Sequence, residues 1–485
     1  MKCFDALWLK QCCNYLYEYG VKDDKLAMIY EGNKLNKVVV RSPAGLTEMF
    51  EVEECVAQGS GLGPTLCAVS VDNIGRDALA RKEHVYMYKG SVEIPPLGMI
   101  DDVAHVQECG IKSVEDNAYI VARFEQDKLE LNRDKCRQIH VGKNQSQCST
   151  LRAHEDKIKI VLEEKYLGDI VTSNGKHTSN IKRRSSKCIG LIVDIVNLLN
   201  LLCLGKHYFK TAVLLRQAML LSVMLTNSET WLRLTKKDME RLESVDRMFL
   251  RKILQAPSKT PIPALYLELG CIPVKFIIKM KRIMFLHHIL KLKPDEMISK
   301  VLWAQIYKPV KNDWSNVVEE DLQAVGLGYM NVEDIQNKTK NQMKRIVKKA
   351  IAESAFKNLM EEKTRLKKME NIQYEELDMQ KYLSSENIIN RHKKLAFKIR
   401  TRMTDLKNNF GKKEKCEICE KPNSEDAQSH AFLDCDVIKV LCLEIRTNVH
   451  SKYADFFSGS EEKIQNVVKL CNISLRKRQE LLEKD

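Results

Sequence analysis

The sequence has no uninterrupted apolar run of membrane-spanning length, no apolar leader behind its first residues, no internal repeat and no low-complexity tract. The two longest apolar stretches, 189–204 and 211–226, are interrupted by Asp194, Asn197 and Asn200 in the first and by Arg216 and Gln217 in the second. Both fall short of the ~20 apolar residues of a spanning helix. They read as amphipathic core helices that turn at Gly205-Lys206, and no membrane partner is expected. The opening residues Met1-Lys2-Cys3-Phe4-Asp5-Ala6-Leu7-Trp8 hold no secretory apolar segment. The 16 cysteines do not show the spacing of a disulfide framework, and only Cys416 and Cys419 stand as a ligand-like pair. Scattered thiols without a leader predict an intracellular, reducing compartment. No basic run singles out the nucleus over the cytoplasm.

What is present is a sizeable and moderately basic chain. Its 485 residues suggest about three domains on a prior of ~150 residues each. A hydrophobic content of 44% is ample for buried cores and excludes wholesale disorder. The net charge of +14 comes from 79 basic and 65 acidic residues. That balance suits a polyanionic partner, because phosphates are the generic sink for Lys and Arg.

Patterning gives an α+β order. Residues 1–19 read as a helix stopped by Gly20, and Asp23-Asp24 caps a second over 25–30. Strands are expected over 37–41 and 49–56 around Pro43-Ala44-Gly45, then a helix over 65–79. A hairpin over 85–94 turns at Lys89-Gly90. A helix follows over 114–129, then strands over 137–142 and 166–171. The rest is helix-rich. Thr235-Lys236-Lys237-Asp238 starts a helix that runs to about Ile253. Residues 275–292 interleave Lys279, Lys281, Arg282, His287 and His288 with Phe276, Met280, Met284 and Phe285, which suits either a nucleic-acid duplex or solvent. Residues 338–370 are dense in Lys, Arg and Glu and read as a long helix with i,i+4 charge pairs. Within it, 344–349 is either a solvated face or a phosphate contact. A charged helix is expected over 458–485.

Two constellations carry chemistry. The first is Pro95-Pro96-Leu97-Gly98-Met99-Ile100-Asp101-Asp102-Val103-Ala104-His105-Val106, two apolar runs around adjacent carboxylates, read as a hairpin with Asp101 and Asp102 at its tip. Alone, such a pair is also a common surface turn. Adjacent carboxylates repel, and a divalent cation removes that cost. Mg²⁺ takes one or two carboxylates, keeps several waters and leaves room for substrate phosphates, as nucleotidyl transfer requires. Upstream, Gln58-Gly59-Ser60-Gly61-Leu62-Gly63-Pro64 precedes a helix and offers backbone N–H groups to phosphate. The second constellation is Cys416-x2-Cys419-x10-His430-x4-Cys435. Its tight Cys-x2-Cys turn and a His and Cys little more than a helical turn apart can close a tetrahedron around a structural Zn²⁺. Cys442 is an alternative fourth ligand.

Taken in order, Lys2-Cys3-Phe4-Asp5-Ala6-Leu7-Trp8, the Gln58–Pro64 loop, the Asp101-Asp102 hairpin, Leu129-Glu130-Leu131-Asn132-Arg133-Asp134-Lys135-Cys136 with His140-Val141-Gly142, and Lys165-Tyr166-Leu167-Gly168 resemble the palm motifs of non-LTR retrotransposon reverse transcriptases. Farther on, Asn227-Ser228-Glu229-Thr230-Trp231 and Phe249-Leu250-Arg251-Lys252-Ile253-Leu254 are similar to the helical region after that palm. The resemblance implies an RNA-directed DNA polymerase acting on an RNA template and a DNA primer with Mg²⁺. It implies a right-hand palm over 1–175 and a helical thumb over 176–305. After these the sequence suggests a charged helical region over 306–410, a zinc knuckle over 411–440 and a helical tail over 441–485. By the same resemblance Asp101 and Asp102 hold the catalytic metals, and Phe4, Gln58 and Gly59 bind the nucleotide and template. Tyr166, Leu167 and Gly168 grip the primer end. Similar Cys-Cys-His-Cys clusters follow the polymerase in many such elements.

The sequence also departs from the family. The first metal-binding Asp precedes the match of Phe4 by five residues in the family, a position before residue 1 here, and the fingers also lie upstream. Met99 and Ile100 stand where an aromatic and often an Ala are usual, and Gly63 stands where Ser is usual. The expectation is a polymerase fragment that is inactive as given. The alternative is a non-catalytic nucleic-acid-binding remnant that uses its basic helices and zinc knuckle.

Overall fold

The computed structural model describes residues 7–33, 36–52, 61–100, 102–108, 110–129, 131–132, 134–142, 150–153, 156–202, 205–366, 369, 372–404, 415–416, 418–419, 421, 430–436 and 461–482. The chain is α+β and mostly helical, and its strands form seven two-stranded pairs among the described residues. It divides into two compact units, one of residues 1–179 with 292–310 and one of 180–291 with 311–485. No helix among the described residues is long and apolar enough to cross a membrane.

The first unit begins with α1 (Leu9–Glu18) and α2 (Asp23–Asn33). Strand β1 (Asn36–Val38) pairs with β4 (Phe50–Val52), and β2 (Arg41–Ser42) with β3 (Gly45–Leu46) around Pro43-Ala44. Helix α3 (Gly63–Arg81) follows, with Pro64 in its first turn, where a missing N–H costs nothing. Strands β5 (Tyr86–Tyr88) and β6 (Val92–Ile94) turn at Lys89-Gly90, both at positive φ, and the Ser91 N–H donates to the Tyr88 carbonyl at 3.1 Å. Strands β7 (Leu97–Met99) and β8 (Asp102–Ala104) pair with Met99 opposite Asp102. After α4 (Ile111–Gln126), β9 (Arg137–Gln138) is joined in parallel by β12 (Lys159–Ile160), and β10 (Arg152–Ala153) pairs with β11 (Asp156–Lys157).

The strand expected over 166–171 is instead a hairpin, β13 (Glu163–Tyr166) against β14 (Asp169–Thr172). Leu167 at φ +46° and Gly168 at φ +86° reverse the chain, and a straight strand cannot accommodate that pair. The strand expected over 137–142 forms only as β9.

The core of this unit joins Leu9, Cys12 and Leu16 of α1, Leu66, Cys67, Val71 and Ile74 of α3, and Ile120 and Phe124 of α4. The β7–β8 hairpin lies against α3 so closely that two glycines are required. A Cβ on Gly98 would stand 2.5 Å from Val71 Cγ1, and one on Gly75 would stand 2.9 Å from the Pro96 carbonyl oxygen.

The second unit is helical. Helix α5 (Thr178–Leu201) buries Cys188, Ile192, Ile195 and Leu199 and turns Asp194, Asn197 and Asn200 outward. Helix α6 starts as Tyr208–Leu215, passes through a π-helical turn at Arg216–Leu221 and ends as Ser222–Met224. Helix α7 (Lys236–Leu254) is capped by Thr235, whose side chain accepts from the Asp238 N–H. Helices α8 (Ile262–Leu269) and α9 (Val274–Leu290) follow, then α10 (Met297–Tyr307), which returns to the first unit. Helices α11 (Trp314–Ala324), α12 (Val332–Asn337), α13 (Lys340–Thr364), α14 (Lys381–Ser384), α15 (Asn390–Arg400) and α16 (Glu461–Leu482) complete the chain.

Three buried charge nodes run through this unit. The π-helical turn carries Arg216, which donates from Nε and Nη2 to the two carboxylate oxygens of Asp246 at 2.7 Å each, while Tyr266 donates to Asp246 Oδ2 at 3.0 Å. Arg282 donates to Asp321 at 3.0 Å and to the carbonyls of Trp231 and Leu232 at 2.9 Å each. Glu268 has 0% exposure and accepts from Tyr374 at 2.5 Å, Tyr382 at 2.7 Å and Arg400 at 2.8 Å. Three of the α9 cations are tied to carboxylates of the same unit, while His288 is exposed. Lys279 pairs with Asp321 and Lys281 with Glu229, while Arg282 is buried. In the 344–349 run, Lys344, Arg345, Lys348 and Lys349 are exposed.

Two outcomes test these packings. Gly98→Ala is expected to destabilise the protein by ~1–3 kcal/mol through overpacking. With Val71→Ala added, the double variant should lose at least ~0.5 kcal/mol less than the sum of the single variants, since the two positions touch. Additive losses in a denaturant-melt cycle would refute the close approach. Glu268→Gln leaves Arg400 buried without its counter-charge and should cost ~3–5 kcal/mol in the same measurement. A loss below ~1 kcal/mol would mean that the carboxylate is not the anchor.

Candidate active-site hairpin and metal centre

The sequence places Asp102 at the start of β8, and there it is exposed beside Met99, itself 55% exposed. Ile100 enters the turn at φ +59°, a conformation that costs a β-branched residue ~1–2 kcal/mol. Its side chain packs onto the α1–α3–α4 core together with Val103, which holds the residue in place. The base of the hairpin is pinned as well. His105 lies 3.2 Å through Nε2 from the His84 carbonyl oxygen, and His84 Nδ1 lies 2.7 Å from Asp116 Oδ1. Burial pushes the His105 imidazole down, which keeps it neutral. Asp101, Phe4, Gln58 and Gly59 lie outside the described residues.

The second hairpin carries the other predicted residues. Tyr166 closes β13, and Leu167 and Gly168 form its turn. Burial pushes the Tyr166 hydroxyl up, and the Asp102 carboxylate pushes it further. An exposed carboxylate such as Asp102 can contribute to holding a cation.

The Cys/His cluster lies in the second unit. The ligand atoms of Cys416, Cys419, His430 and Cys435 all fall within 4.8 Å of one another. Cys416 Sγ and Cys435 Sγ are 4.0 Å apart, and Cys419 Sγ lies 3.3 Å from His430 Nε2. Local backbone geometry makes this possible. The Cys416 N–H donates to the Lys421 carbonyl at 2.8 Å and closes the Cys-x2-Cys turn. The π-helical turn His430–Asp434 brings the Cys435 N–H to the His430 carbonyl at 2.8 Å. Burial pushes the Cys416 thiol up, but the N–H groups of Cys419 and Ile418 and the guanidinium of Arg478 outweigh it and hold it down at about 6. A thiol so placed is a ready thiolate ligand.

Three sulfurs and one imidazole nitrogen at these separations fit a four-coordinate metal such as Zn²⁺. With four protein ligands and no open position, such a metal would hold structure, not substrate. Cys442 lies outside the described residues. Patterning missed the lid on this cluster. Leu470 of α16 packs with Cys416 and Cys435, and Ile418, Cys419 and Ile473 pack around them. The spacing of Leu470, Ser474 and Arg478 at every fourth residue was the available signal.

Purified protein is expected to hold one zinc per chain by atomic emission, and Cys419→Ser with Cys435→Ser should abolish it. A wild-type content near zero would remove the site. No protein-family model and no curated protein matches the chain.

Proposed function

We propose that the chain is part of an RNA-directed DNA polymerase of the non-LTR retrotransposon type. Asp101 and Asp102 serve as two of its metal-binding carboxylates, Phe4, Gln58 and Gly59 meet the nucleotide and template, and Tyr166-Leu167-Gly168 holds the primer end. The first unit is the palm, and the helices that follow serve as its thumb. The observation that supports this reading is the β7–β8 hairpin, which presents Asp102 exposed over the apolar support of Ile100 and Val103, because polymerisation needs carboxylates held open to metal and nucleotide. In this reading Asp101 and Asp102 would hold Mg²⁺, which would supply charge stabilisation to the nucleotide phosphates. Within these residues two carboxylates match the family's metal set, so these residues alone are a poor two-metal site.

A second reading, a nucleic-acid-binding module without chemistry, has its own support. On α15, burial and then Arg391 and Lys469 push the His392 imidazole down, and burial and then Lys398 push the Lys394 amine down. Arg391, Lys394 and Lys398 of α15, with Lys469 of α16 acting on His392, gather positive charge of the kind a polyanion neutralises.

Primer extension on an RNA template in Mg²⁺ or Mn²⁺ is expected to yield no product from the 485 residues above an Asp101→Ala control. Robust extension that Asp101→Ala abolishes would overturn that expectation. Binding of the primer–template should weaken linearly in log salt. Under the polymerase reading, Mn²⁺ tightens binding and Asp101→Asn with Asp102→Asn cancels that gain. Under the second reading those variants change nothing, and Lys394→Glu with Lys398→Glu removes binding. Absence of binding would sink both.

A further inference from the structure

Arg478 lies on α16 with 7% of its surface exposed, and it donates from Nη1 to Cys416 Sγ at 3.7 Å. A buried guanidinium is strongly disfavoured unless an anion faces it. Among the described residues, the anion that faces it is a thiolate of the metal cluster. The charge of that cluster accounts for the match. Three thiolates around a divalent ion, completed by a neutral imidazole, leave one excess negative charge in a largely buried site, and Arg478 supplies the single positive charge that cancels it.

The rest of α16 is arranged around the same contact. Leu470, Ser474 and Arg478 follow at spacings of four, which aligns them on one face. Leu470 packs with Cys416 and Cys435, and Ser474 Oγ donates to the Ala431 carbonyl at 3.1 Å. Beside that face, Val467 and Cys471 pack with Ile399 of α15 and with Ala431 and Phe432 of the turn that carries His430. The helix therefore touches both halves of the ligand set.

We propose that Arg478 is a positioning residue of the Cys416–Cys419–His430–Cys435 metal centre, and that metal occupancy fastens α16 onto that centre. The proposal rests on the zinc reading of the cluster. Because coupling is reciprocal, docking of α16 strengthens metal binding by the factor by which the metal strengthens docking.

The test uses the full chain. Zinc affinity is measured by competition with a colorimetric chelator, and backbone hydrogen exchange is followed over 461–482 with and without zinc. Arg478→Met is expected to take one zinc at saturation but with about 10- to 100-fold weaker affinity. Its 461–482 amides should exchange faster than those of wild type even when zinc is bound, while the protection of α6 and α7 stays as in wild type. Chelating the wild type should deprotect the same amides. Wild-type affinity and wild-type exchange in Arg478→Met, with one zinc in the wild type, would overturn the proposal alone. A wild-type chain without zinc would overturn the metal reading and the proposal together. Should Arg478→Met lose protection in α6 and α7, Arg478→Gln decides, since it keeps a donor and drops the charge. Weaker zinc binding in that variant supports the proposal, and unchanged binding overturns it.

Discussion

A carboxylate with no solvent exposure is costly unless donors surround it, and Glu268 is such a group. Its three donors lie 106, 114 and 132 residues farther along the chain: Tyr374, Tyr382 on α14, and Arg400 at the end of α15. Each is oriented by something else. Arg400 also lies over the Tyr374 ring at 5.4 Å. Gly270, at φ +62°, lets the segment around Met379 pass so close that a Cβ there would meet the Met379 nitrogen at 2.4 Å. The Gln380 N–H completes the junction by donating to the Glu268 carbonyl at 3.0 Å. The anchor therefore fixes α8, α14 and α15 against one another, and the later helices inherit their positions from it.

The metal cluster is the last link in that inheritance. Helix α15, held at its end by Arg400, presents Ile399 to Phe432, Val467 and Cys471. Those residues carry the His430 turn and α16. Among the described residues the apolar clusters around the four ligands are small, since five buried residues make up one and three the other. Burial of that extent is little stabilisation for segments that must also hold two chain reversals. A metal held by these four ligands would supply stabilisation that such small clusters do not. The buried Glu268 node and the cluster thus solve the same problem at different scales, each bringing distant segments to one charged centre.

Sequence patterning found what is local and missed what is distant. The hairpins at Lys89-Gly90 and over 97–104 were legible because apolar alternation and turn chemistry sit within a few residues. So were the Thr235 cap and the Cys/His spacing. The turn at Leu167-Gly168 was not, because a leucine at positive φ contradicts its own propensity and the apolar residues on both sides suggest one strand. The α9 cations looked free because their carboxylate at Asp321 lies 42 residues from Lys279 and 39 from Arg282. Helix α16 looked like a charged tail because its charges dominate composition, while the contact that matters, Arg478 to Cys416, spans 62 residues. A pattern of period 3.6 gives the buried face of a helix but not what that face is buried against.

The β7–β8 hairpin shows how a core can hold a costly conformation at an exposed tip. Ile100 alone would not favour φ +59°, and Gly98 alone would leave the strand loose. Together they trade these costs. Gly98 lets the strand settle on Val71, the resulting contact buries part of Ile100 and Val103 against α3 and α4, and that burial holds Ile100 in the left-handed region. His105, pinned to the His84 carbonyl, stops the exit strand from relaxing. The strain is therefore confined to the turn, and Asp102, the first residue of β8, is left exposed. Rigid apolar support beneath an exposed carboxylate is the arrangement that preorganised cation binding requires, because ordering the carboxylate has then been paid for by folding and not by the ligand.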